Sequence, residues 1–180
     1  MSSHQVPDLT LHPTFSQPPR TVWFKVEGVG FACDVNRIIR HSRVLRDAFL
    51  IFPGPEAESP EGTKENPYEI PGITQAEFEI FLHWLDHMGW EAPEKLSEEH
   101  LVIILKMTVL WEIEDGIKFA IHHLDKKPLS PARRLQLAQH FSIHPWIEQP
   151  VKQLLACSTL SLSEDDARCI ASNALCMVPT

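Results

Sequence analysis

Long hydrophobic runs, paired cysteines and glycine-rich loops are all missing from this chain, and each absence removes a class of function. No apolar stretch approaches the roughly 18 residues a membrane-spanning helix needs. The opening Met-Ser-Ser-His-Gln-Val-Pro has neither the basic nor the apolar region of a secretory leader. Cys33, Cys157, Cys169 and Cys176 show no metal-ligand spacing and are too sparse for a secreted disulfide framework. They read as small buried hydrophobes, with a redox role for Cys169 and Cys176 as the alternative. These features predict a reduced intracellular protein, cytoplasmic or nuclear. Basic residues are also few, 16 against 24 acidic ones for a net charge of −8. A nucleic-acid binder needs clustered cations to neutralise phosphate, so that role is not expected. The basic cluster Lys126, Lys127, Arg133 and Arg134 reads as a solvated helix junction.

Catalytic signatures are equally scarce. There is no Gly-x-Ser-x-Gly elbow, no glycine-rich loop ending in Lys-Ser or Lys-Thr, and no His-Glu-x-x-His. Gly28-Val29-Gly30 lacks the third glycine of a dinucleotide fingerprint. The strongest metal candidate is His83 and His87, four apart on one helical face, with Glu91 just beyond. The competing reading puts both histidines at the border of an apolar stripe, and no metal is expected. His122-His123 and His140 with His144 are weaker candidates of the same kind. Ser59-Pro60 and Ser130-Pro131 are turn and cap chemistry first, phosphorylation sites second. No catalytic residue, cofactor or small-molecule substrate is expected.

What the chain does have is ordinary globular composition, 43% apolar and 22% charged residues. Residues 1–20, with Pro7, Pro13, Pro18 and Pro19 among polar neighbours, read as a disordered lead-in. Val22, Phe24 and Val26 alternate with Trp23, Lys25 and Glu27, the period of a half-buried strand. A turn at Gly28 and Gly30 and the resumed period at Phe31, Cys33 and Val35 complete a hairpin. Two short amphipathic helices then flank Ser42, with apolar anchors at Ile38, Ile39, Val44, Leu45, Phe49 and Phe52. Pro53 to Pro67 is an acidic surface loop, and Tyr68 to Ile70 a third strand closed by Pro71-Gly72. Thr74 and Glu77 make a capping box ahead of a stripe at Phe78, Phe81, Leu82, Leu85 and Met88. Ser97 caps a helix carrying Leu101, Ile104, Leu105 and Thr108. Ile113, Ile117, Ala120, Ile121 and Leu124 define the next one.

Beyond Lys127 everything reads as helix. Ser130-Pro131 caps one whose inward residues are Leu135, Ala138 and Phe141. Trp146, Ile147, Val151, Leu154 and Leu155 form a stripe kinked by Pro150, and Ser161 with Glu164 caps a last helix. No internal repeat or low-complexity tract appears.

In order and spacing, residues 21 to about 125 resemble the BTB/POZ domain in its divergent fungal form. The landmarks are the hairpin Val22 to Phe31, Arg40-His41-Ser42 with Val44-Leu45-Arg46-Asp47-Ala48-Phe49, and Asn66-Pro67-Tyr68-Glu69-Ile70-Pro71-Gly72. Phe78, Leu82, Trp84-Leu85, then Ile104 to Thr108 and Trp111-Glu112-Ile113 follow. The tail, with Leu137-Ala138-Gln139, Ile143, Trp146-Ile147 and Leu160 to Asp165, is similar to the same fungal proteins. Asp34 stands where animal members carry a histidine.

The resemblance implies an α+β fold: a small three-stranded sheet capped by a helix cluster over 21–126, then a helical extension over 127–176. It also implies a non-catalytic interaction module that associates with itself or another BTB protein through the face Asn36 to Phe52. An exposed remainder of Ile39, Leu45 or Phe49 would be the docking patch. The alternative is a substrate adaptor for a cullin-type ubiquitin ligase, with a cullin scaffold as partner. No nucleic-acid or membrane partner is expected. A small metal-dependent enzyme on His83, His87 and Glu91 is the remote third reading.

Overall fold

The computed structural model describes residues 21–51, 61–86, 95–156 and 163–169, with backbone alone at 50 and 51. The expected lead-in 1–20, Phe52, Ser59, His87, Met88, Glu91, Cys157, Ser161 and Cys176 lie outside the described residues. The architecture is α+β, a three-stranded sheet with a larger share of helix. It divides into two compact units, residues 1–75 and 76–180, a boundary that runs across the expected 21–126 segment.

In the first unit β1 (Thr21–Val26) and β2 (Val29–Asp34) pair antiparallel, Val26 opposite Val29 and Thr21 opposite Asp34. Val22, Phe24 and Val26 are buried as the alternation requires. The turn is Glu27-Gly28, not Gly28 to Gly30: φ is 48° and 84° at the two central residues, and Gly30 already pairs with Lys25. A two-residue loop with both φ values positive matches the right-handed twist of the strands, so the hairpin closes there. Asp34 ends β2 and starts α1 (Val35–Ile39), its carboxylate accepting the Asn36 N–H at 2.9 Å. Buried Ser42 repeats the device for α2 (Arg43–Ile51), its Oγ accepting the Leu45 N–H at 3.0 Å.

The third strand, β3 (Tyr68–Glu69), lies parallel to β1, so the sheet order is β2-β1-β3. Ile70 adds one more bond, its N–H donating to the Lys25 carbonyl at 3.0 Å. Residues 61–67, expected as surface loop, are built into the sheet's margin: the Trp23 N–H donates to the Gly62 carbonyl at 2.8 Å. Gly62 has φ of +81°, and a Cβ there would sit 2.5 Å from Tyr68 and 2.9 Å from Val22, so only glycine fits.

The second unit is helical. In α3 (Gln75–Asp86) Phe78, Phe81, Trp84 and Leu85 are buried, and Glu77 holds Lys106 Nζ at 2.6 Å. Ser97 caps α4 (Glu98–Leu110) as expected, and Leu101, Ile104, Leu105 and Thr108 are fully buried. Trp111 closes α4 and meets Phe81 edge-on at 4.8 Å between ring centroids. Next comes α5 (Glu114–Asp125), with Ala120 and Leu124 buried.

Ser130 and Pro131 start α6 (Pro131–His140) as the sequence predicts, but its buried residues are Ala132, Leu137 and Ala138; Leu135 and Phe141 are half-buried. A 3-10 turn over His144–Trp146 leads to α7 (Glu148–Ala156). Pro150 falls in the first turn of α7, where a missing N–H goes unused, so it breaks no bond. Leu155 is 82% exposed, outside the expected stripe. The last described helix, 164–169, is capped by Ser163, whose Oγ accepts the Asp166 N–H at 3.0 Å. Among the described residues no helix is long and apolar enough to cross a membrane.

Two substitutions test the tight spots of the helical unit. A Cβ on Gly116 would run into Thr108 and lie 2.7 Å from Trp84. Gly116→Ala should therefore lower unfolding stability by about 1–3 kcal/mol in urea titrations. Glu112 and Ser142 hold left-handed φ values of 50° and 55°. Glycine at either position should raise stability, by on the order of 1 kcal/mol, because it relieves the Cβ–carbonyl crowding.

Candidate functional site

The six residues expected to form a partner face divide sharply. Ile38, Leu45 and Phe49 are buried. Ile39 is half-buried, Val44 is 38% exposed, and Phe52 lies outside the described residues. Leu45 and Phe49, four apart on α2, point the same way, and Phe49 enters a ring cluster. Its centroid is 6.2 Å from Phe24 on β1 and 5.7 Å from Tyr68 on β3. The expectation that Leu45 or Phe49 is left over for a partner is thus corrected. The sequence count weighed α1 and α2 against one hairpin, but β3 brings Tyr68 to cover the aromatic side chain as well.

What remains exposed among the described side chains of α1 and α2 is mostly charged. Val44 is flanked on α2 by Arg43 and Arg46, both exposed, and Asp47 lies 3.6 Å from the one and 3.7 Å from the other. Arg37 on α1 and Arg40 in the connecting turn are exposed too. Four arginines at steps of three, residues 37, 40, 43 and 46, thus stand on a chain of net charge −8. Sequence reasoning passed over this group because it looked for basic residues in runs; the three-residue step was the signal.

Each unit also carries an open groove. That of the first unit, about 880 Å³, is lined by Lys25, Glu27, Glu69, Pro71 and Thr74. Lys25 and Glu69, cross-strand neighbours, meet at 2.6 Å, and this hydrogen bond and charge hold the Glu69 carboxyl below its usual range. That of the second unit, about 660 Å³, is lined by Glu98, Ser130, Arg133, Ser163, Asp166 and Cys169. Its polar groups are engaged with one another. Arg133 Nε meets Glu98 Oε1 at 2.8 Å, Arg133 Nη1 donates to Gln136 at 2.7 Å, and the Ser163 hydroxyl donates to Asp166 at 2.7 Å. Bonds from the Ser130 hydroxyl first and the Ser163 hydroxyl second hold the Asp166 carboxyl below the ordinary aspartate range.

No protein-family model matches this chain, and no curated protein matches it. The site therefore has to be judged on its own chemistry. Among the described residues no three His, Cys, Asp or Glu side chains are placed to hold a metal ion. His83 is exposed on α3, while His87 and Glu91 lie outside the described residues. The rings of His122 and His123 meet edge-on at 5.0 Å, and His123 lies tilted against Phe119 at 4.6 Å. Cys33, on β2, is buried and Cys169 is half-buried. Of the Lys126 to Arg134 cluster, Lys126 is exposed, while Arg134 sits 4.9 Å above the Trp146 ring and 2.8 Å from Asp125.

The Asp166 arrangement gives a pH test. A carboxylate whose folded pKa is depressed contributes stability above its unfolded pKa and loses that contribution as pH falls through the folded value. Carbon-detected NMR should find Asp166 titrating below ordinary aspartate. Ser130→Ala should move that titration upward, and no upward move would show that the hydroxyl is not its partner.

Proposed function

We propose that this protein is a non-catalytic interaction module of the BTB/POZ kind, whose α1–α2 face receives an acidic partner. The observation that carries the proposal is an exposed Val44 on a segment that also exposes Arg37, Arg40, Arg43 and Arg46. A non-obligate interface ordinarily combines a small apolar contact with a polar, charged rim. The BTB/POZ part rests on the order of elements, hairpin, two short helices, short strand and then helices, which follows the sequence landmarks.

The charge also favours one mode of association. A twofold dimer through this face sets four arginines against four arginines, with Asp47 as the acidic counterweight on α2. Like charges brought together across an interface cost free energy, so an acidic surface of a different kind is the better occupant. Nucleic acid would satisfy the arginines but not Val44, and the rest of this acidic chain would repel it.

Cross-linking of the full-length chain in native extract tests this reading. Cross-links to the partner should map to residues 35–51 and fall in yield when salt is raised before the cross-linker is added. Arg43→Glu with Arg46→Glu should weaken capture by about tenfold or more, since reversed rim charges act on steering and selectivity. Val44→Asp should do the same without lowering the melting temperature. Phe49→Ala differs in kind: it removes a core ring and should cost about 3–5 kcal/mol of stability. Capture that ignores both salt and the arginine reversals would refute the proposed face.

A further inference from the structure

Three serines at positions 97, 130 and 163 are two equal steps of 33 residues apart, and each follows a leucine: Leu96, Leu129 and Leu162. Each serine does the same work. Its Oγ accepts the N–H three residues on, His100 at 3.1 Å, Arg133 at 3.2 Å and Asp166 at 3.0 Å. Its carbonyl accepts the N–H four residues on, Leu101 at 3.1 Å, Arg134 at 2.9 Å and Ala167 at 3.0 Å.

The first two helices so started also end alike. An aromatic residue closes each, Trp111 and Phe141, followed by a left-handed non-glycine residue and an isoleucine. The isoleucine N–H reaches back to the buried fifth residue before it at the same distance, Ile113 to Thr108 at 2.8 Å and Ile143 to Ala138 at 2.8 Å. After each turn the chain returns as the helix that packs on the first, α5 on α4 and α7 on α6.

We infer that from Leu96 onward the chain is a tandem array of 33-residue helical hairpins, and that the groove at Ser130 is the docking site for the first helix of the next hairpin. The joints support this. In both, the third residue after a capping serine faces the start of the preceding copy. Arg133 bonds Glu98 at 2.8 Å, and Asp166 lines one groove with Ser130. The 660 Å³ groove is the place where the three starts come together. Little else repeats in sequence, because stacking fixes the caps, the turn and the apolar face and leaves other positions free. The second copy also has a first helix three residues shorter, ten against thirteen, which throws simple self-comparison out of register.

Amide hydrogen exchange on the full-length chain tests the inference. Ser130→Ala removes a hydroxyl that lies outside helix 164–169, yet it should speed exchange of the 164–169 amides by about tenfold, as expected for a separable stacked element. Helices α4 and α5 should keep their protection, and Ser130→Thr, which retains the hydroxyl, should restore the last helix. Phe141→Trp with Ser142→Glu, which writes the first turn into the second hairpin, should leave α6 and α7 protected within about twofold. Unchanged exchange in 164–169 after Ser130→Ala would overturn the docking. Equal loosening of 98–125 would do so too, since it would mean one indivisible cluster. Loss of α6 and α7 in the turn exchange would overturn the equivalence of the copies.

Discussion

The rings of Phe24, Phe49 and Tyr68 come within 5.7–6.2 Å of one another, and the first unit hangs on that contact. Each ring arrives on a different element: β1, α2 and β3. A two-stranded hairpin has too little surface to be stable alone, and α1 with α2 has no partner without the sheet. The trio lets each element finish the burial the others begin, and Gly62 permits it by letting the chain pass where a Cβ would strike Tyr68. Because Phe49 is spent there, Val44 is the exposed apolar residue among the described side chains of α2. The internal packing thus decides what kind of interface is left over.

Much of this could be read from the residues. Period-two alternation gave β1 and β2, because a sheet with one wet face demands it, and the capping serines Ser97 and Ser130 fixed two helix starts without reference to tertiary structure. The errors were tertiary. Leu45 and Phe49 look surplus until a two-residue strand from 20 residues away supplies a lid, and nothing local announces β3's parallel register. Gly30 looked like turn chemistry, but Glu27 takes the left-handed position, an uncommon choice that propensity alone would not make. Ser163 caps the last described helix, one Leu-Ser step on from Ser161, which lies outside the described residues.

In the second unit the same physics runs through Trp111. It closes α4 and lies edge-on to Phe78 at 6.0 Å and Phe81 at 4.8 Å, so the end of one helix is pinned by the core of another. That pinning explains how Glu112 is held left-handed without glycine: Ile113 is fully buried one residue later, and its bond to Thr108 fixes the turn. Phe141, Ser142 and Ile143 reach the same backbone solution with different side chains at the first two positions.

The arginines bear on function because local stability does not account for them all. Arg37 and Arg40 lie at the C-terminal end of α1, where the carbonyl ends welcome a cation. Arg43 and Arg46 are the opposite case. They occupy the first turn of α2, which has no acidic residue, so both sit at the positive end of the helix. Each such placement costs roughly 0.3–1 kcal/mol, and Asp47 at 3.6–3.7 Å in an exposed setting returns only a few tenths of a kcal/mol. Ser42 shows that the N-terminus of this helix is otherwise built for stability, with a buried hydroxyl in capping position. A segment that obeys the rule at one residue and breaks it at the next has a reason beyond its own folding. An acidic surface laid over Val44 would supply that reason, relieving the repulsion that the folded chain carries alone.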